Sequence, residues 1–548
     1  MAAALRGADV LAQSIARMGA RHVFTLSGNQ IMPVFDASID AGLTLHHFRH
    51  EAAAVHAADA WARLTGEVGV ALLTGGPGHA NGISALYTAL MSESPLVMLS
   101  GHAPFNELHK GAFQEMRQAE MAAPVVKAAF TAQSAEHIGQ EFARAVRHAQ
   151  FGRPGPVHLS LPFDVLEHKV TATEQRIPAA HAFTTQPACL GEAGIDAVLR
   201  EINAAKRPLL LTGPAMSTDR GRAAREALAT ALNLPVICME SPRGVNDPRL
   251  GAFPTVLAQA DLVVLIGKLP DFTLKFAQAP ALNAACRLIV LDPDPAMLTR
   301  AGYAIGDASR ITLAAVSEPF ATIAALTQRA QALKSTWGNE VHDALRHRPV
   351  AWRTIQTAAG SPAHPLEVGR AVQALIDAEH QAHRETVFIC DGGEFGQWAQ
   401  ASVDAPTRLI NGPAGAIGSA LPFAIAAKLA RPQATVLAML GDGTFGFHAM
   451  EYDTAVREQL AFTAIVGNDA CWNAEHQIQL RAYGKARAIA CELLPTRYDA
   501  VVQALGGVGA YAPDAAHLAP CLQQAVKANQ PACVNAMIER HPAPAVHA

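Results

Sequence analysis

Two acidic residues stand where apolar strands are expected to end near the C-terminus. The stretch "VLAMLGDGTFG" places Asp442 between two glycines after one apolar run, and "FTAIVGNDACWN" places Asp469 after the next. The two acids lie 27 residues apart, which leaves room for a crossover helix at about 447–459 and a return strand. Because the carboxyl ends of parallel strands meet at one edge of a sheet, we expect both side chains in the same crevice.

Oxygen ligands at such a crevice favour a hard cation together with a phosphate group. Carboxylates suit Mg²⁺, and glycines allow the backbone to approach a phosphate closely. The alternative interpretation is that Gly-Asp-Gly is only a tight turn with a capping acid, and that the second strand end is an unrelated polar loop. The pairing of two such strand ends favours a metal and phosphate site.

A third acid lies in the N-terminal part of the chain. In "HHFRHEAAAVHAADA", Glu51 opens a predicted helix after an apolar strand and is followed by three alanines. Small apolar surroundings would desolvate its carboxyl group and favour the protonated form, as a general acid requires. The alternative is a first-turn glutamate that is favoured only by the helix dipole.

The elements that must position these acids are short apolar strands alternating with helical patterns. A chain of 548 residues exceeds what one hydrophobic core organises, and the alternation predicts an α/β fold of three doubly wound parallel-sheet domains. We place the domains and linkers at 1–165, 166–190 (linker), 191–330, 331–360 (linker) and 361–548. Representative predicted strands are "HVFTL", "GVALLT", "PLVMLSG", "VHLSLP", "PLLLTG", "DLVVLIG", "CRLIVLDPD", "TVFICDGG" and "PACVNAMI".

Composition and charge exclude several classes of partner. The formal charge is −4, and no basic stretch could contact a nucleic-acid backbone. No apolar run reaches the roughly 18 residues of a membrane span, and "MAAALRGADVLAQSIARMGA" lacks the apolar core of a signal peptide. The eight cysteines form no C-x-x-C pair, which is typical of reduced thiols and indicates a cytoplasmic protein.

The motifs, taken together and in order, resemble one family across essentially the whole chain. They are "FRHEAAAVHAADAWARLTGEVGVALLTGGPGHANG", "KGAFQEM", "FGRPGPVHLSLPFDV", "GPAGAIGSALPFAIAAKLA" and "GDGTFG" followed by "ND". The sequence is similar to the thiamine-diphosphate enzymes related to acetolactate synthase, benzaldehyde lyase and 2-hydroxyacyl-CoA lyase. This resemblance implies the thiamine-diphosphate-binding fold, with thiamine diphosphate and Mg²⁺ as cofactors.

The resemblance also implies a metal and diphosphate site. Asp442 would bind the metal, Asp469 would take a place where Asn is commoner, and the backbone carbonyl of Cys471 would be the third protein ligand. Backbone N–H groups of Gly443 and Thr444, at the start of the crossover helix, would hold the diphosphate.

Two further positions are implied to contact the rings of the cofactor. Ile417 would support the bend between them, with a core isoleucine as the alternative, and the carbonyl of Gly415 would lie near N4′ of the aminopyrimidine. Glu51 would hydrogen-bond N1′ and promote the tautomer that removes the C2 proton. In this family the first domain of one subunit meets the third domain of another, so a homo-oligomer is implied, either a dimer or a dimer of dimers.

The substrate side is implied by two other motifs. Asn29 and Gln30 in "LSGNQ" match the loop facing C2, and Phe113 and Gln114 in "GAFQEM" match a substrate-side motif. Amides orient a carbonyl but carry protons poorly. Trp472 either forms a wall of the pocket or packs in the core.

These features predict a lyase or carboligase that acts on small molecules: 2-oxo acids, 2-hydroxy ketones or 2-hydroxyacyl thioesters. A non-catalytic scaffold that binds the cofactor is the alternative from another class, and a flavin-containing acetolactate synthase is the alternative among enzymes. We expect no FAD, because "GKLPDFTLKF" at 267–276 replaces the Arg-Phe-Asp segment of the flavin enzymes, and its proline lacks a donor N–H. Lys268 and Lys275 in this segment are expected to be solvated, with phosphate binding as the alternative.

Overall fold

The protein is described here by a computed structural model, which covers residues 4–171 and 176–546. The chain forms two compact units. The first comprises Met1–Gln186 with Ile425–Ala430 and Asp453–Glu458, and the second comprises Pro187–Ala424, Arg431–Tyr452 and Gln459–Ala548. The predicted linker at 166–190 includes residues 172–175, which lie outside the described residues.

The N-terminal part of the chain builds a parallel six-stranded sheet in the order β3-β2-β4-β5-β7-β6, and β1 pairs with β8 in a small antiparallel ladder. The central strands β4, β5 and β7 are buried along their whole length, as expected for a sheet covered on both faces. The strands are β1 Leu5–Arg6, β2 His22–Thr25, β3 Thr44–His47, β4 Gly69–Leu73, β5 Leu96–His102, β6 Ala128–Thr131, β7 Pro156–Pro162 and β8 Lys169–Val170. The helices are α1 Gly7–Met18, α2 Met32–Ala41, α3 Glu51–Thr65, α4 Pro77–Met91, α5 Gln118–Ala122, α6 Ile138–Gln150 and α7 Phe163–Glu167.

The central part of the chain builds a parallel five-stranded sheet in the order β10-β9-β11-β12-β13. Its strands β9 and β11 are buried throughout, whereas the edge strand β13 alternates between half-buried and exposed residues. The strands are β9 Pro208–Thr212, β10 Val236–Cys238, β11 Leu262–Ile266, β12 Arg287–Asp292 and β13 Ile311–Val316. The helices are α8 Glu192–Ala204, α9 Asp219–Leu232, α10 Phe253–Gln259, α11 Pro295–Ile305, α12 Pro319–Arg329 and α13 Trp337–Arg346.

The C-terminal part builds a second parallel six-stranded sheet, in the order β15-β14-β16-β17-β19-β18. The strands are β14 Thr386–Cys390, β15 Thr407–Ile410, β16 Thr435–Gly441, β17 Thr463–Asn468, β18 Val508–Ala512 and β19 Ala532–Met537. The helices are α14 Pro365–Gln381, α15 Gly393–Ser402, α16 Ala420–Ala430, α17 Asp442–His448, α18 Glu451–Arg457, α19 Asn473–Tyr483, α20 Tyr498–Ala504 and α21 Ala515–Lys527.

The predicted α/β class with three parallel sheets is confirmed. The crossover after Asp442 differs from the single helix expected at 447–459, because α17 begins at Asp442 itself and a turn at Ala449 and Met450 separates it from α18. The segment 331–360 also contains α13, whose Trp337 is buried and donates its ring N–H to the carbonyl of Pro208 at 2.8 Å.

Two other features bear on where the protein can act. All eight cysteines are free thiols. Among the described residues, every helix is too short or too polar to cross a membrane.

Candidate active site

A cavity of about 330 Å³ lies in the second unit, at the carboxyl ends of β14, β16 and β17. The chain leaves β14 toward β15 on one side and later returns as β16 on the other, so this point is the switch in strand order where open α/β sheets bind ligands. The cavity brings together all of the predicted site residues of the C-terminal part: Gly415, Ile417, Asp442, Gly443, Thr444, Asp469, Cys471 and Trp472.

Asp442 is the first residue of α17 and is 3% exposed. Its Oδ1 accepts a hydrogen bond from the N–H of Gly443 at 2.9 Å, whereas its buried Oδ2 has no partner among the described residues. Burial raises the pKa of this carboxyl group to about 6. An unpartnered buried oxygen is costly unless a ligand or a cation satisfies it.

Asp469 follows β17 and faces the same cavity. Burial, and next the negative charge of Asp442, raise the pKa of Asp469 to about 7. The following loop is held from outside the cavity, because Arg540 donates to the carbonyls of Asp469 at 2.8 Å and Ala470 at 2.9 Å. Two neighbouring acids, one of which raises the pKa of the other, have the chemistry to share a cation.

The loop that carries Ile417 is held by a residue that sequence analysis missed. Asp391 is fully buried at the end of β14 and accepts backbone hydrogen bonds from Gly392 at 2.7 Å, Gly418 at 3.0 Å and Ala420 at 3.0 Å. Burial raises its pKa to about 6. Its signal was available, because Asp391 follows an apolar strand and precedes two glycines, much as Asp442 stands between two.

Trp472 both lines the cavity and packs against its floor. A Cβ atom on Gly443 would lie 2.6 Å from the Trp472 ring, so this position requires glycine. Phe447 meets the same ring edge-on at a centroid distance of 6.4 Å. Both alternative roles for Trp472 are therefore present.

An ion pair at the cavity was also missed. Arg243, which comes after β10, an edge strand of the five-stranded sheet, donates to the carboxylate of Glu394 at 2.9 Å. Glu394 is 5% exposed in α15. Neither residue lies in a motif that signals chemistry by itself, so only the fold brings them together.

The donor set of the cavity fits a hard cation beside an anionic cofactor. Asp442 and Asp469 supply carboxylate oxygens, and Cys471 lies in the lining where a backbone carbonyl is needed. Among the described residues, no cluster of three or more His, Cys, Asp or Glu side chains could hold a metal ion by itself. The site therefore suits a metal whose remaining ligands come from a bound phosphate and water.

Glu51 opens α3 in the first unit, and its surroundings are partly as expected. Ala52, Ala53 and Ala54 are buried beside it, but the glutamate itself is half-buried. Its Oε2 accepts a hydrogen bond from the side chain of Asn81 at 3.0 Å. A Cβ on Gly78 would approach the other carboxylate oxygen to 3.3 Å, so α4 begins close against this carboxyl group.

The predicted substrate residues of the first unit divide into two groups. Gln30 and Gln114 meet, with the Gln30 amide donating to the Gln114 carbonyl at 2.8 Å, and the hydroxyl of Thr74 donates to Gln30 at 2.5 Å. These hydrogen bonds among Thr74, Gln30 and Gln114 are called the Gln30–Gln114 relay below. Asn29 and Phe113 are exposed, the latter 69%, and take no part in it. Thr74 was missed because a threonine at a strand end is common.

A buried polar layer lies beneath this relay. Gln118 accepts from the N–H of Gly76 at 2.9 Å and donates to the carbonyl of Gly101 at 3.1 Å, which fixes the loop before α4. His79 is fully buried and contacts the Ser100 hydroxyl at 3.1 Å. Burial lowers the pKa of His79 to about 4, so its imidazole is neutral near pH 7.

The expectation that Lys268 is solvated is wrong. Lys268 is 4% exposed and donates to Asp271 at 3.0 Å and to the carbonyl of Leu269 at 2.6 Å. The charge of Asp271 offsets the cost of burying the ammonium group. Lys275 is exposed, as expected.

Comparison with known proteins agrees with this geometry. Residues 5–121, 195–316 and 391–536 match family models described as the N-terminal TPP binding, central and C-terminal TPP binding domains of thiamine pyrophosphate enzymes. The chain is 33% identical over 540 residues to a probable acetolactate synthase of Mycobacterium bovis, which covers 97% of this chain and 95% of that protein. It is 31% and 30% identical to the 2-hydroxyacyl-CoA lyase 2 proteins of Bos taurus and Homo sapiens, each match covering 92% of this chain and 84% of the relative.

The chain therefore belongs to the thiamine pyrophosphate (thiamine diphosphate) enzyme family. It is a thiamine-diphosphate-dependent enzyme of the lyase and carboligase type, and its three parallel-sheet domains have the fold of that family.

Proposed function

We propose that this enzyme, with thiamine diphosphate and Mg²⁺, makes or breaks the bond between a carbonyl carbon and its neighbour. Its substrates would be 2-oxo acids, 2-hydroxy ketones or 2-hydroxyacyl thioesters. The observation that carries the proposal is the buried, unpartnered Oδ2 of Asp442 beside Asp469 in a glycine-lined cavity. A cation there would satisfy that oxygen and favour the ionised form of both acids.

The residues that would hold the cofactor all lie in the second unit. Asp442, Asp469 and the carbonyl of Cys471 would bind Mg²⁺, and the backbone at Gly443 and Thr444 would contact the diphosphate. Ile417 would support the rings and the carbonyl of Gly415 would lie near the aminopyrimidine, on a loop that Asp391 holds in place. Thiamine diphosphate, when bound, supplies the electron sink for breaking or forming a bond beside a carbonyl group.

Glu51 would hold and move a proton at its carboxylate oxygens. Asn81 orients the carboxyl group by donating to Oε2 at 3.0 Å, which leaves Oε1 for the cofactor. The glycine at position 78 would leave Oε1 uncovered, because a Cβ there would lie 3.3 Å from that oxygen. These contacts support a general acid–base role rather than a purely structural one.

The substrate side would orient a carbonyl group by hydrogen bonds. The Gln30–Gln114 relay supplies amide donors that are held in place by Thr74. The names of the relatives, an acetolactate synthase and 2-hydroxyacyl-CoA lyases, support a 2-oxo acid or a 2-hydroxyacyl thioester as substrate.

The test is a substrate screen on the protein loaded with thiamine diphosphate and Mg²⁺. Pyruvate, benzoin and a 2-hydroxyacyl-CoA would be incubated separately and the products identified by mass spectrometry, with Glu51→Gln as the inactive control. We expect turnover of at least one compound, absent in the variant. Cofactor binding without consumption of any of the three would favour the scaffold alternative.

We further propose a homo-oligomer, a dimer or a dimer of dimers, in which each site takes Glu51 from one subunit and Asp442 from another. Exposed apolar side chains near the cavity, Phe447 at 52% and Met450 at 50%, support a surface that a second copy covers. Co-expressed Glu51→Gln and Asp442→Ala chains would test this proposal. If sites are shared, mixed dimers contain one intact site and regain activity, whereas two defective self-contained subunits would regain none.

Two further expectations accompany this function. The free thiols support a reducing compartment such as the cytoplasm. We also propose that the enzyme needs no FAD, because Asp271 of the 267–276 segment pairs with Lys268 and is not available to a flavin. An absorbance spectrum of the purified protein with flavin bands near stoichiometric occupancy would contradict this.

A further inference from the structure

A second cavity, of about 550 Å³, adjoins the candidate active site within the second unit. The two cavities share Arg243, Glu394 and Gln397 in their linings, so they are contiguous. Arg481 and the segment 543–546 also line the second cavity. None of these residues has a role in the function proposed above.

Arg243 keeps most of its hydrogen-bonding capacity. One guanidinium nitrogen donates to Glu394 at 2.9 Å, which holds the side chain at the junction of the two cavities. A guanidinium has five N–H donors, so the others remain for a ligand. Glu394 thus orients the arginine without blocking it.

Arg481 provides a second positive charge in the lining of this cavity. It lies in α19, is exposed, and makes no ion pair or side-chain hydrogen bond within the part of the chain that the structure describes. With two guanidinium groups and one carboxylate, the lining carries an excess of positive charge. Such a lining favours an anion, and an uncharged ligand would leave the arginines unpaired.

Gln397 points independently to a ligand. It is 3% exposed, and its carbonyl oxygen Oε1 is buried and has no partner among the described residues. A buried acceptor without a donor costs about 1–3 kcal/mol. A ligand that brings an N–H or O–H group would remove this cost.

The part of the wall formed by segment 543–546 is apolar, and the chain just before it is anchored by two hydrogen bonds. The ring N–H of Trp398 donates to the carbonyl of Pro542 at 2.9 Å, and the side-chain amide of Asn473 donates to the carbonyl of His541 at 2.9 Å. Both anchors hold the chain just before segment 543–546. The cavity is therefore a shaped site with a charged side and an apolar side.

We propose that this cavity binds an anionic group of the substrate, a carboxylate or a phosphate, at a distance from the reacting carbon. Arg243 and Arg481 bind the anion, and Gln397 accepts a hydrogen bond from the adjoining part of the substrate. This inference rests on the proposed function, since it names a substrate feature for that reaction.

The experiment compares Arg481→Gln with Arg487→Gln, which removes an exposed arginine on a neighbouring segment outside the cavity. Three substrates are used: a 2-hydroxyacyl-CoA, the same acyl group on uncharged N-acetylcysteamine, and 2-oxoglutarate, a 2-oxo acid whose second carboxylate lies away from the reacting carbon. We expect Arg481→Gln to raise KM for an anionic substrate by about 10-fold, because one charge-assisted hydrogen bond to the anion is lost. The value of kcat should stay within about twofold. Arg487→Gln should leave KM unchanged.

The pattern of KM values identifies the source of the anion. A rise confined to the CoA thioester supports a phosphate, and a rise for 2-oxoglutarate supports a carboxylate. An equal rise for the uncharged thioester, or no change beyond that of Arg487→Gln, would overturn the proposal.

Calorimetric titration of coenzyme A and 2-oxoglutarate into the cofactor-loaded protein needs no turnover and separates the two proposals. If no substrate is consumed but Arg481→Gln weakens the binding of either probe, the cavity assignment stands and the proposed function fails. In the opposite case a substrate is turned over, but Arg481→Gln changes neither its KM nor the binding of a probe. That result would support the proposed function and contradict the cavity assignment.

Discussion

The two six-stranded sheets have the same strand order, yet the residues at their switch points differ in chemistry. In the N-terminal sheet, the loops after β2 and β4 carry Gln30 and Thr74, which hydrogen-bond each other. In the C-terminal sheet, Asp391 and Asp442 follow the equivalent strands β14 and β16, and the charge of Asp442 disfavours ionisation of Asp469 after the neighbouring β17. The same sheet topology thus presents neutral polar side chains in one sheet and carboxylates in the other.

The difference extends to the buried groups below each site. Burial lowers the pKa of His79 to about 4, which keeps it neutral, and it raises the pKa of Asp391 to about 6. The hydrogen bonds of Gln30 are made to residues of its own unit, whereas Oδ2 of Asp442 has no partner among the described residues. The amide pair of the first site is formed within its own unit, whereas under the proposed function a cation would complete the second site.

The largest effect is expected from the acid of the N-terminal site. Glu51→Gln should still bind cofactor but should lower the rate of proton exchange at the cofactor's C2 by about 1000-fold. The reason is that an amide neither releases nor accepts a proton at neutral pH. Acid-quenched NMR of hydrogen–deuterium exchange measures this rate, with the exposed Glu107→Gln as the control. An unchanged exchange rate would remove Glu51 from the mechanism.

The C-terminal site should fail at binding, before any chemistry. Asp442→Ala removes the oxygens that hold the metal, so we expect Mg²⁺-dependent cofactor affinity to fall by about 100-fold, about 2.7 kcal/mol. Quenching of tryptophan fluorescence reports binding because Trp472 lines the cavity. Normal affinity in Asp442→Ala, or an equal loss in the exposed Asp40→Ala, would refute the metal assignment.

The pH dependence of stability should reveal the neutral histidine layer. The folded pKa of His79, about 4, lies below the unfolded value of about 6.5, so its contribution is present above pH 6.5 and is lost as pH falls toward 4. We expect the loss between pH 7 and pH 5 to be about 2 kcal/mol smaller in His79→Gln than in the wild type. Denaturant unfolding at both pH values measures this, and the exposed His181→Gln should follow the wild type.

The relay of the N-terminal site should show a smaller, kinetic effect. Thr74→Val removes the hydroxyl that orients Gln30, so kcat should fall by about 10-fold while cofactor affinity is unchanged. Thr74→Ser keeps the hydroxyl and should restore most of the rate. Equal loss in the valine and serine variants would indicate a packing role instead.

The smallest effect is expected at Asp469, where the family resemblance predicts Asn. Asp469→Asn keeps a side-chain oxygen and removes one of two mutually repelling charges, so cofactor affinity should stay within about threefold. The fluorescence titration measures this as well. A loss as large as that of Asp442→Ala would show that the second negative charge is required.

Sequence patterns predicted the buried strands well and the edges poorly. Strands such as β5 and β11 are apolar throughout because helices cover both faces of each sheet. The strand β6 was missed because it is short and half-buried along its length, so its pattern resembles a loop. The split between α17 and α18 was missed because neither Ala449 nor Met450 breaks a helix by its own propensity.

The candidate site was predicted where chemistry depends on residue type and was missed where it depends on tertiary position. Asp442 and Asp469 could be recognised in the sequence because each follows an apolar strand, and the structure brings them to one cavity. Arg243 reaches Glu394 only because the central and C-terminal parts of the second unit pack together, 151 residues apart in the chain. No local pattern encodes such a contact.

Arg540 connects the far end of the chain to the loop after Asp469. Its guanidinium donates to two carbonyl groups of that loop, while Glu492 binds the same guanidinium at 2.7 and 2.8 Å. Because Arg540 lies outside the lining of the cavity, changes there would act on how firmly the loop is held rather than on the ligands themselves. We expect the residence time of the bound cofactor to be adjustable at Arg540, through dissociation rate alone, with the chemistry of the site left intact.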